Sequence, residues 1–266
     1  MMQGTYYKEW SASLDRAMEF KVYGRTGVPV LALPTRGGRF YDWENNGMPD
    51  AAARLLNDGR IQLFCADSID AESLLARDAS PRSRAAMQEA YFNYLTRELA
   101  PRILALNAAG TPAPLPLLEE KDEAPAAPVR IWCVGADLGA YQAVNCRLRR
   151  PALFAGAIAL SGLYDMSGFL GAANDDLALR NSPLACLAKP GLLDRAALSG
   201  GEENALLLCA GQGASEGDAL RETRALESAL RTAGIPCHFE AWGNDVSHDW
   251  YWWGKEWGLF ADRVFG

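Results

Sequence analysis

Five continuous apolar runs, separated by segments with helical periodicity, constrain the fold of this chain most strongly. They are VPVLALP at 28–34, IQLFCAD at 61–67, VRIWCVG at 129–135, AGAIALSG at 155–162 and ALLLCAG at 205–211. A weaker sixth run is CHFEAWG at 237–243. Strands that are buried on both faces of a parallel sheet have this unbroken apolar character. Alternation with helices implies right-handed crossovers. The sequence therefore predicts an α/β protein with a mostly parallel central sheet flanked by helices.

The N-terminal part has a different pattern. TYYKEWSASL and AMEFKVYG alternate between apolar and polar residues, which is typical of half-buried antiparallel strands. We therefore expect antiparallel N-terminal strands at one edge of the sheet. The chain has 266 residues, a length that one α/β domain often reaches, and residues 1–266 are predicted to form a single domain. The segment 107–128 is rich in Pro, Ala and acidic residues and predicts a flexible insertion. Residues 163–204 are weakly patterned, as in a small cap or an irregular crossover.

Composition argues against several classes of partner. The net charge of −7 is unlike that of a nucleic-acid-binding domain, which needs clustered Lys and Arg. The densest basic run, RLRRP at 147–151, lies at a predicted helix end, where cations favour the helix dipole, and this explanation is preferred to anion binding. No apolar stretch approaches the roughly 20 residues of a membrane span, and the N-terminus lacks the apolar region of a signal peptide.

The six cysteines are widely spaced and form no C-x-x-C pair. They are interpreted as small buried residues in a reducing compartment, in preference to disulfides or metal ligands. We therefore expect a cytoplasmic protein with no nucleic-acid or membrane partner. The oligomeric state stays open, and a homo-oligomer is one of the alternatives.

The third apolar run continues into VGADLGAYQA at 134–143, the most informative motif of the chain. A strand, a tight turn and a helix form the context of a nucleophile elbow, written G-x-S-x-G in serine hydrolases. Gly135 and Gly139 supply the small residues that such a strained turn needs. Asp137 stands where the motif has serine. The turn is the predicted catalytic position, with a carboxylate in place of a hydroxyl, and an ordinary strand–helix turn is the alternative.

The chain has two histidines, and one of them fits a catalytic base. His248 follows the last apolar run and precedes the last helical segment, where a hydrolase with the order nucleophile, acid, histidine carries its base. His238 lies inside a predicted strand and is interpreted as an ordinary strand residue. The acid is expected in the loop GQGASEGD, which offers Glu216 and Asp218. Because Asp218 also resembles a helix cap, Glu216 is preferred, and the choice stays open.

An oxyanion hole at this turn would use backbone N–H groups. One is expected from Leu138, directly after the elbow residue, and another from the loop PTRGG, where Gly37 and Gly38 allow close backbone approach. Arg36 of the same loop is a candidate charge partner of Asp137, since a buried carboxylate needs a partner. A solvent-facing arginine is the alternative.

Four segments resemble one known group of proteins: PTRGGRFYDWENNGM, IQLFCADSIDAES, RRPALFAGAIALSGLYD and WGNDVSHDWYWW. They are similar to the esterase branch of the α/β-hydrolase fold, which is related to esterase D, feruloyl esterases and antigen 85 mycolyltransferases. The resemblance covers most of the chain outside 107–128. It implies a serine in the elbow, a histidine matching His248, and a hydrolase or acyltransferase that acts on a small-molecule ester or acyl ligand without a cofactor or metal.

Asp137 departs from that family pattern, and three interpretations are open. In the favoured one, a carboxylate has no proton for His248 to take and opposes the developing oxyanion, so serine-esterase activity is impaired or lost and the protein is a pseudoenzyme with a binding or interaction role. In the second, Asp137 is a nucleophile toward an alkyl carbon, as in haloalkane dehalogenases and epoxide hydrolases, although Leu138 stands where those enzymes often have tryptophan. In the third, Asp137 and His248 activate water directly. The substrate is not specified by the sequence.

Overall fold

A computed structural model describes residues 2–110, 129–171, 175–199 and 205–266. Within these ranges eight strands form one sheet. They are Thr5–Ser11 (β1), Arg16–Tyr23 (β2), Val28–Leu33 (β3), Ile61–Ala66 (β4), Ile131–Ala136 (β5), Phe154–Leu160 (β6), Leu206–Ala210 (β7) and His238–Ala241 (β8). Each of the apolar runs, including the weak sixth one, forms a strand.

The strand order in the sheet is β1-β2-β4-β3-β5-β6-β7-β8. The pairs β1–β2 and β2–β4 are antiparallel, and the remaining pairs are parallel. The predicted fold class, a mostly parallel sheet with antiparallel N-terminal strands at its edge, is confirmed. Because β3 and β5 are neighbours in the middle, the residues that follow them meet at the same edge of the sheet.

Helices flank both faces. They are Asp42–Asn45 (α1), Met48–Ala51 (α2), Ala53–Asn57 (α3), Pro81–Asn93 (α4), Ala100–Ala108 (α5), Leu138–Arg149 (α6), Ser167–Leu170 (α7), Asp176–Arg180 (α8), Pro183–Ala188 (α9), Arg195–Ser199 (α10), Gly217–Thr232 (α11) and Trp250–Phe265 (α12). A π-helical stretch, Tyr94–Leu99, joins α4 to α5. In the part of the chain covered by these ranges, no helix has the length and hydropathy that a membrane span requires.

Two weakly patterned regions of the sequence are described in part by the structure. The predicted insertion at 107–128 begins inside a helix, since α5 continues to Ala108, and its residues 111–128 lie outside the described residues. The weakly patterned region 163–204 contains α7 to α10, each of four to six residues. A region built from such short helices has no sustained periodicity, which explains why its pattern was weak.

The core has one layer on each face of the sheet, and single strands contribute to both. Leu31 and Leu33 of β3 pack on the side of α4, α5, α6 and α11, while Val30 and Ala32 pack on the side of α12. Alternate residues of a strand point to opposite faces. Because helices cover both faces of the sheet, the side chains of the central strands are buried on both sides. The sequences of these strands are therefore unbroken apolar runs.

The start of α6 lies directly against the central strands. A Cβ on Gly139 would lie 2.5 Å from the carbonyl oxygen of Leu33, and a Cβ on Gly135 would lie 2.3 Å from the carbonyl carbon of Gly139. These distances are well below van der Waals contact, and the atoms concerned belong to the backbone. The turn between β5 and α6 therefore has room for glycine alone at both positions.

Replacing Gly139 by alanine should destabilise the fold. We expect Gly139→Ala to lower the free energy of unfolding by about 3 kcal/mol, because a methyl group there must displace the backbone of β3 or α6. Gly217→Ala is the control: its Cβ would meet nothing within 4 Å, and alanine near the start of α11 should be neutral or stabilising by up to about 1 kcal/mol. Urea denaturation of both variants checks this, and equal midpoints would contradict it.

Candidate active site

Asp137 lies between β5 and α6, at the carboxyl edge of the parallel strands. Its backbone has φ 53° and ψ −120°, a conformation that costs free energy in any residue other than glycine. The N–H of Asp137 donates to the carbonyl oxygen of Leu160 at 3.0 Å, which ties the turn to the end of β6. Only 6% of the residue is exposed. The turn thus carries Asp137 on a strained backbone between a strand and a helix, the conformation that a nucleophile elbow requires.

Arg36, in the loop after β3, contacts the Asp137 carboxylate in two ways. Its backbone N–H donates to Oδ2 at 3.2 Å, and its guanidinium Nη2 donates to Oδ1 at 3.2 Å. The guanidinium also lies 5.7 Å from the centre of the Phe169 ring. The side chain of Arg36 is 45% exposed, so the ion pair is open to solvent on one side. The backbone N–H contact does not depend on the position of the Arg36 side chain.

The N–H groups of Gly37 and Gly38 are not directed at Asp137, and here the structure differs from the expectation. Gly37 donates to Oδ2 of Asp70 at 3.0 Å, and Gly38 donates to the carbonyl of Thr35 at 2.8 Å. The donor from this loop is Arg36. Leu138 is the first residue of α6, so its N–H has no partner within the helix.

His248 and Glu216 complete an array with Asp137. His248 lies in the loop between β8 and α12, with Nδ1 3.1 Å from Glu216 Oε1 and Nε2 3.9 Å from Asp137 Oδ1. The second distance is too long for a hydrogen bond. The imidazole also packs edge-on against the Trp253 ring, with centroids 4.9 Å apart. One ring nitrogen thus faces Glu216 and the other faces Asp137.

Neither of the other candidates from the sequence contacts His248, although Asp218 lines the cleft in front of it. Asp218 is exposed on α11 and pairs with Arg221, so of the two carboxylates in the loop Glu216 is the one that contacts His248. Glu216 also takes the position preceding α11 where Asp218 was a candidate cap. His238 lies on β8 and contacts Glu240.

Two residues behind Glu216 were not selected from the sequence. The hydroxyl of Ser161 donates to Glu216 Oε1 at 2.8 Å and accepts the indole N–H of Trp253 at 3.2 Å. Ser161 directly follows β6 and has φ 51°. A chain of hydrogen bonds therefore runs from Trp253 through Ser161 to the carboxylate that orients His248. The sequence offered one signal, a small polar residue at the end of a buried strand.

Glu256 of α12 is a second buried carboxyl near Glu216. Within the described residues its oxygens have no hydrogen-bond partner of normal geometry, although the Cys209 thiol lies beside the carboxyl and opposes the rise of its pKa. Burial raises the pKa of Glu256 to about 8, and the charge of Glu216 adds to this effect. Glu256 is therefore mostly protonated at neutral pH, so it adds little negative charge behind the His248–Glu216 pair.

Asp70 supports the loop that carries Arg36 and was also not selected from the sequence. It is buried, and it accepts the N–H of Gly37. Burial raises the pKa of Asp70 to about 7; the Gly37 N–H opposes this, and the negative charge of Asp137 adds to it. It follows β4, one strand away from β3, at the sheet edge where functional side chains of such folds collect.

A cleft of about 280 Å³ opens onto the array. Arg36, Asp137 and His248 line one part of it, and Leu163 and Ala219 provide apolar surface. A small cleft with a few converging polar groups is the form of a binding site for a small molecule.

Comparison with known proteins identifies the fold. The sequence matches no established family and no curated protein sequence. A ferulic acid esterase structure aligns over the whole of both chains with 15% identity and a TM-score of 0.70. An S-formylglutathione hydrolase from Agrobacterium tumefaciens has 16% identity and a TM-score of 0.68, covering 100% of this chain and 97% of that one. MPT51 of Mycobacterium tuberculosis has 16% identity and a TM-score of 0.71, covering 100% and 99%.

These similarities define the class of protein. The chain has the α/β-hydrolase fold, as the sequence predicts, and the resemblance to the esterase branch is confirmed at the level of the fold. At such identities the structures show the fold alone. The activity therefore has to be argued from the residues of this chain.

The raised pKa of Asp70 predicts a pH-dependent stability. Between about pH 4, where the unfolded carboxyl ionises, and pH 7, the folded protein holds a proton that the unfolded chain has lost. The contribution of Asp70 to the free energy of unfolding should therefore fall as the pH rises through this window and level off above it. Asp70→Asn keeps an acceptor for Gly37 but cannot ionise, so its stability relative to wild type should rise by about 3 kcal/mol from pH 4 to pH 8.

Urea denaturation at several pH values measures this difference. Asp78→Asn, a substitution at an exposed position of the same segment, serves as the control and should keep the pH dependence of the wild type. A constant difference between Asp70→Asn and wild type across the window would show that Asp70 ionises normally in the folded protein.

Proposed function

We propose that this chain is an esterase-type α/β-hydrolase in which Asp137 replaces the nucleophilic serine and prevents serine-type ester hydrolysis, so that the site binds a small ester or acyl ligand without turning it over. One observation carries the proposal: Oδ2 of Asp137 accepts the backbone N–H of Arg36 at 3.2 Å.

That hydrogen bond occupies a donor that ester hydrolysis would need. In this fold the oxyanion is stabilised by the N–H after the nucleophile and by an N–H from the loop after a central strand. Here those groups are the N–H of Leu138 and that of Arg36. A carboxylate oxygen already holds the second donor, and its negative charge would repel the oxyanion of a tetrahedral intermediate. Loss of one such donor costs about 3 kcal/mol of transition-state stabilisation.

The chemistry of a carboxylate points the same way. An ionised Asp137 has no proton that His248 could remove, and its attack on an ester carbonyl would form a mixed anhydride, a high-energy acyl group. The guanidinium of Arg36 also holds Oδ1 at 3.2 Å. An attack by either oxygen would therefore have to break one of the two contacts with Arg36.

Hydrolysis of short-chain p-nitrophenyl esters by wild type and Asp137→Ser tests the proposal. We expect the wild type to stay at the buffer rate and Asp137→Ser to exceed it by at least about 100-fold, because the serine frees the Arg36 N–H and gives His248 a hydroxyl to deprotonate. Asp137→Ala removes the negative charge without adding a nucleophile, and the double variant Asp137→Ser, His248→Ala has the nucleophile without its base. Both variants should hydrolyse the esters at the buffer rate. Wild-type turnover that Asp137→Ser loses would overturn the proposal.

A second candidate function is favoured by the intact support of His248. The hydrogen bonds from Trp253 through Ser161 to Glu216 hold the imidazole of His248 toward Asp137. A site without catalytic activity would not need an oriented base. In this alternative, Asp137 attacks an alkyl carbon, the bond from that carbon to its leaving group breaks, and an alkyl ester of Asp137 forms. His248 then deprotonates a water, which attacks the ester carbonyl and releases the alcohol.

His248→Ala should trap that ester if the alternative holds. With the base removed, a primary haloalkane would leave the peptide that contains Asp137 heavier by the alkyl group less one hydrogen, with release of halide. A terminal epoxide would leave it heavier by the mass of the whole epoxide, as a hydroxyalkyl ester. Under the main proposal, the mass of the peptide stays unchanged in His248→Ala and in wild type. Asp137→Asn with His248→Ala is the control for alkylation elsewhere, and mass spectrometry of the digested protein is the measurement.

The wider setting of this function rests on sequence predictions. A cytoplasmic location, the absence of nucleic-acid and membrane partners and the single-domain organisation remain predictions, and a homo-oligomer remains an open alternative.

A further inference from the structure

A second cavity has a volume of about 340 Å³. It lies between the continuous helical run 81–108 (α4, the π-helical stretch and α5), the end of α6, and the short helices α8 and α9. It shares no lining residue with the cleft at Asp137. Four arginines and one glutamate line it: Arg97, Arg149, Arg150, Arg180 and Glu89. This concentration of positive charge contrasts with the net charge of −7 of the whole chain.

Arg149 is the fixed, neutralised member of this group. Its Nη2 donates to both carboxylate oxygens of Glu89, at 2.8 and 2.9 Å, and its Nη1 donates to Asn181 at 2.8 Å. Its guanidinium also lies 3.6 Å from the centre of the Phe92 ring. Burial opposes the ionisation of Glu89, but the contacts with Arg149 outweigh it and lower the pKa of Glu89. One arginine and the glutamate thus form a partly buried ion pair.

The other three arginines carry charges that the ion pair leaves unbalanced. Arg97, Arg150 and Arg180 are exposed, and within the described ranges none of their side chains makes a hydrogen bond or an ion pair. They come from three separate parts of the chain: the π-helical stretch, the residue after α6 and the last residue of α8. Their mutual repulsion opposes their placement around one cavity.

Helix dipoles explain only part of this arrangement. Cations are favourable at helix C-termini, which accounts for Arg150 after α6 and for Arg180 at the end of α8. Arg97, however, lies in the middle of the continuous helical run 81–108. It lies within the π-helical stretch, a rare conformation that is frequent at functional sites.

We propose that this cavity is an anion site for a phosphate or diphosphate group. Guanidinium groups present paired N–H donors that match phosphate oxygens, and three unbalanced arginines call for a multiply charged anion in preference to a monocarboxylate. The volume is about ten times that of one water molecule in the liquid, which is enough for such a group. Burial raises the pKa of the Cys186 thiol at the cavity wall to about 11, so the thiol adds no negative charge at neutral pH.

Thermal unfolding of the full chain in the presence of anions tests the site. Inorganic pyrophosphate, inorganic phosphate and acetate are titrated at an ionic strength held constant with sodium chloride. We expect a saturable rise in Tm of about 3 °C at ten times the dissociation constant. The rise should be larger for pyrophosphate than for phosphate and absent for acetate.

Substitutions at the rim assign the effect to the cavity. Arg150→Gln and Arg180→Gln should each weaken pyrophosphate binding by at least about tenfold, since each removes a charged hydrogen-bond donor. Arg82→Gln, at an exposed position of the same helical run as Arg97 and outside the cavity lining, should bind like the wild type. The proposal is overturned if all three anions act alike, if none acts, or if the rim variants bind like the wild type. No outcome depends on the chemistry of Asp137.

Discussion

The contact between Gly139 and the carbonyl of Leu33 determines the geometry on which the rest of the site depends. With no side chain between them, α6 starts directly against the end of β3. The connection from β5 must therefore turn within one residue, and Asp137 takes the strained backbone conformation that this requires. Arg36 follows Leu33 by three residues, so the same contact brings its N–H to the carboxylate. The elbow and its donor are thus positioned together.

The strands and the main helices could be predicted from the sequence because the burial of their side chains determines the pattern of apolar and polar residues. The central strands are covered on both faces, which produces unbroken apolar runs, and α11 and α12 alternate between a buried and a solvated side. Short helices such as α7 and α8 leave no comparable pattern. Their positions depend on the elements that pack against them. A short stretch of sequence does not contain that information.

The site was predictable to the extent that chain order specifies it. Asp137, Glu216 and His248 follow the parallel strands β5, β7 and β8, so the topology brings them to one edge of the sheet. Which N–H of the loop after β3 faces the carboxylate depends on the dihedral angles of a tight turn, and the sequence favoured Gly37 and Gly38 where the structure has Arg36. Ser161 contacts Glu216, and Asp70 contacts Gly37, across long separations in the chain, so no local pattern predicts these contacts. The arginines at positions 97, 150 and 180 of the second cavity are also far apart in the sequence, and their proximity was equally hidden.

The π-helical stretch between α4 and α5 has a consequence for how this chain tolerates changes in length. A π-turn holds one residue more than an α-turn, and each residue rotates an α-helix by about 100°. Deletion of one residue between Tyr94 and Leu99 could restore a regular helix while both ends keep their buried faces on the sheet, because the surplus residue is absorbed locally. Such a deletion would turn the side chain of Arg97 to a different direction. The π-helical stretch therefore allows the lining of the second cavity to change without a change in the core.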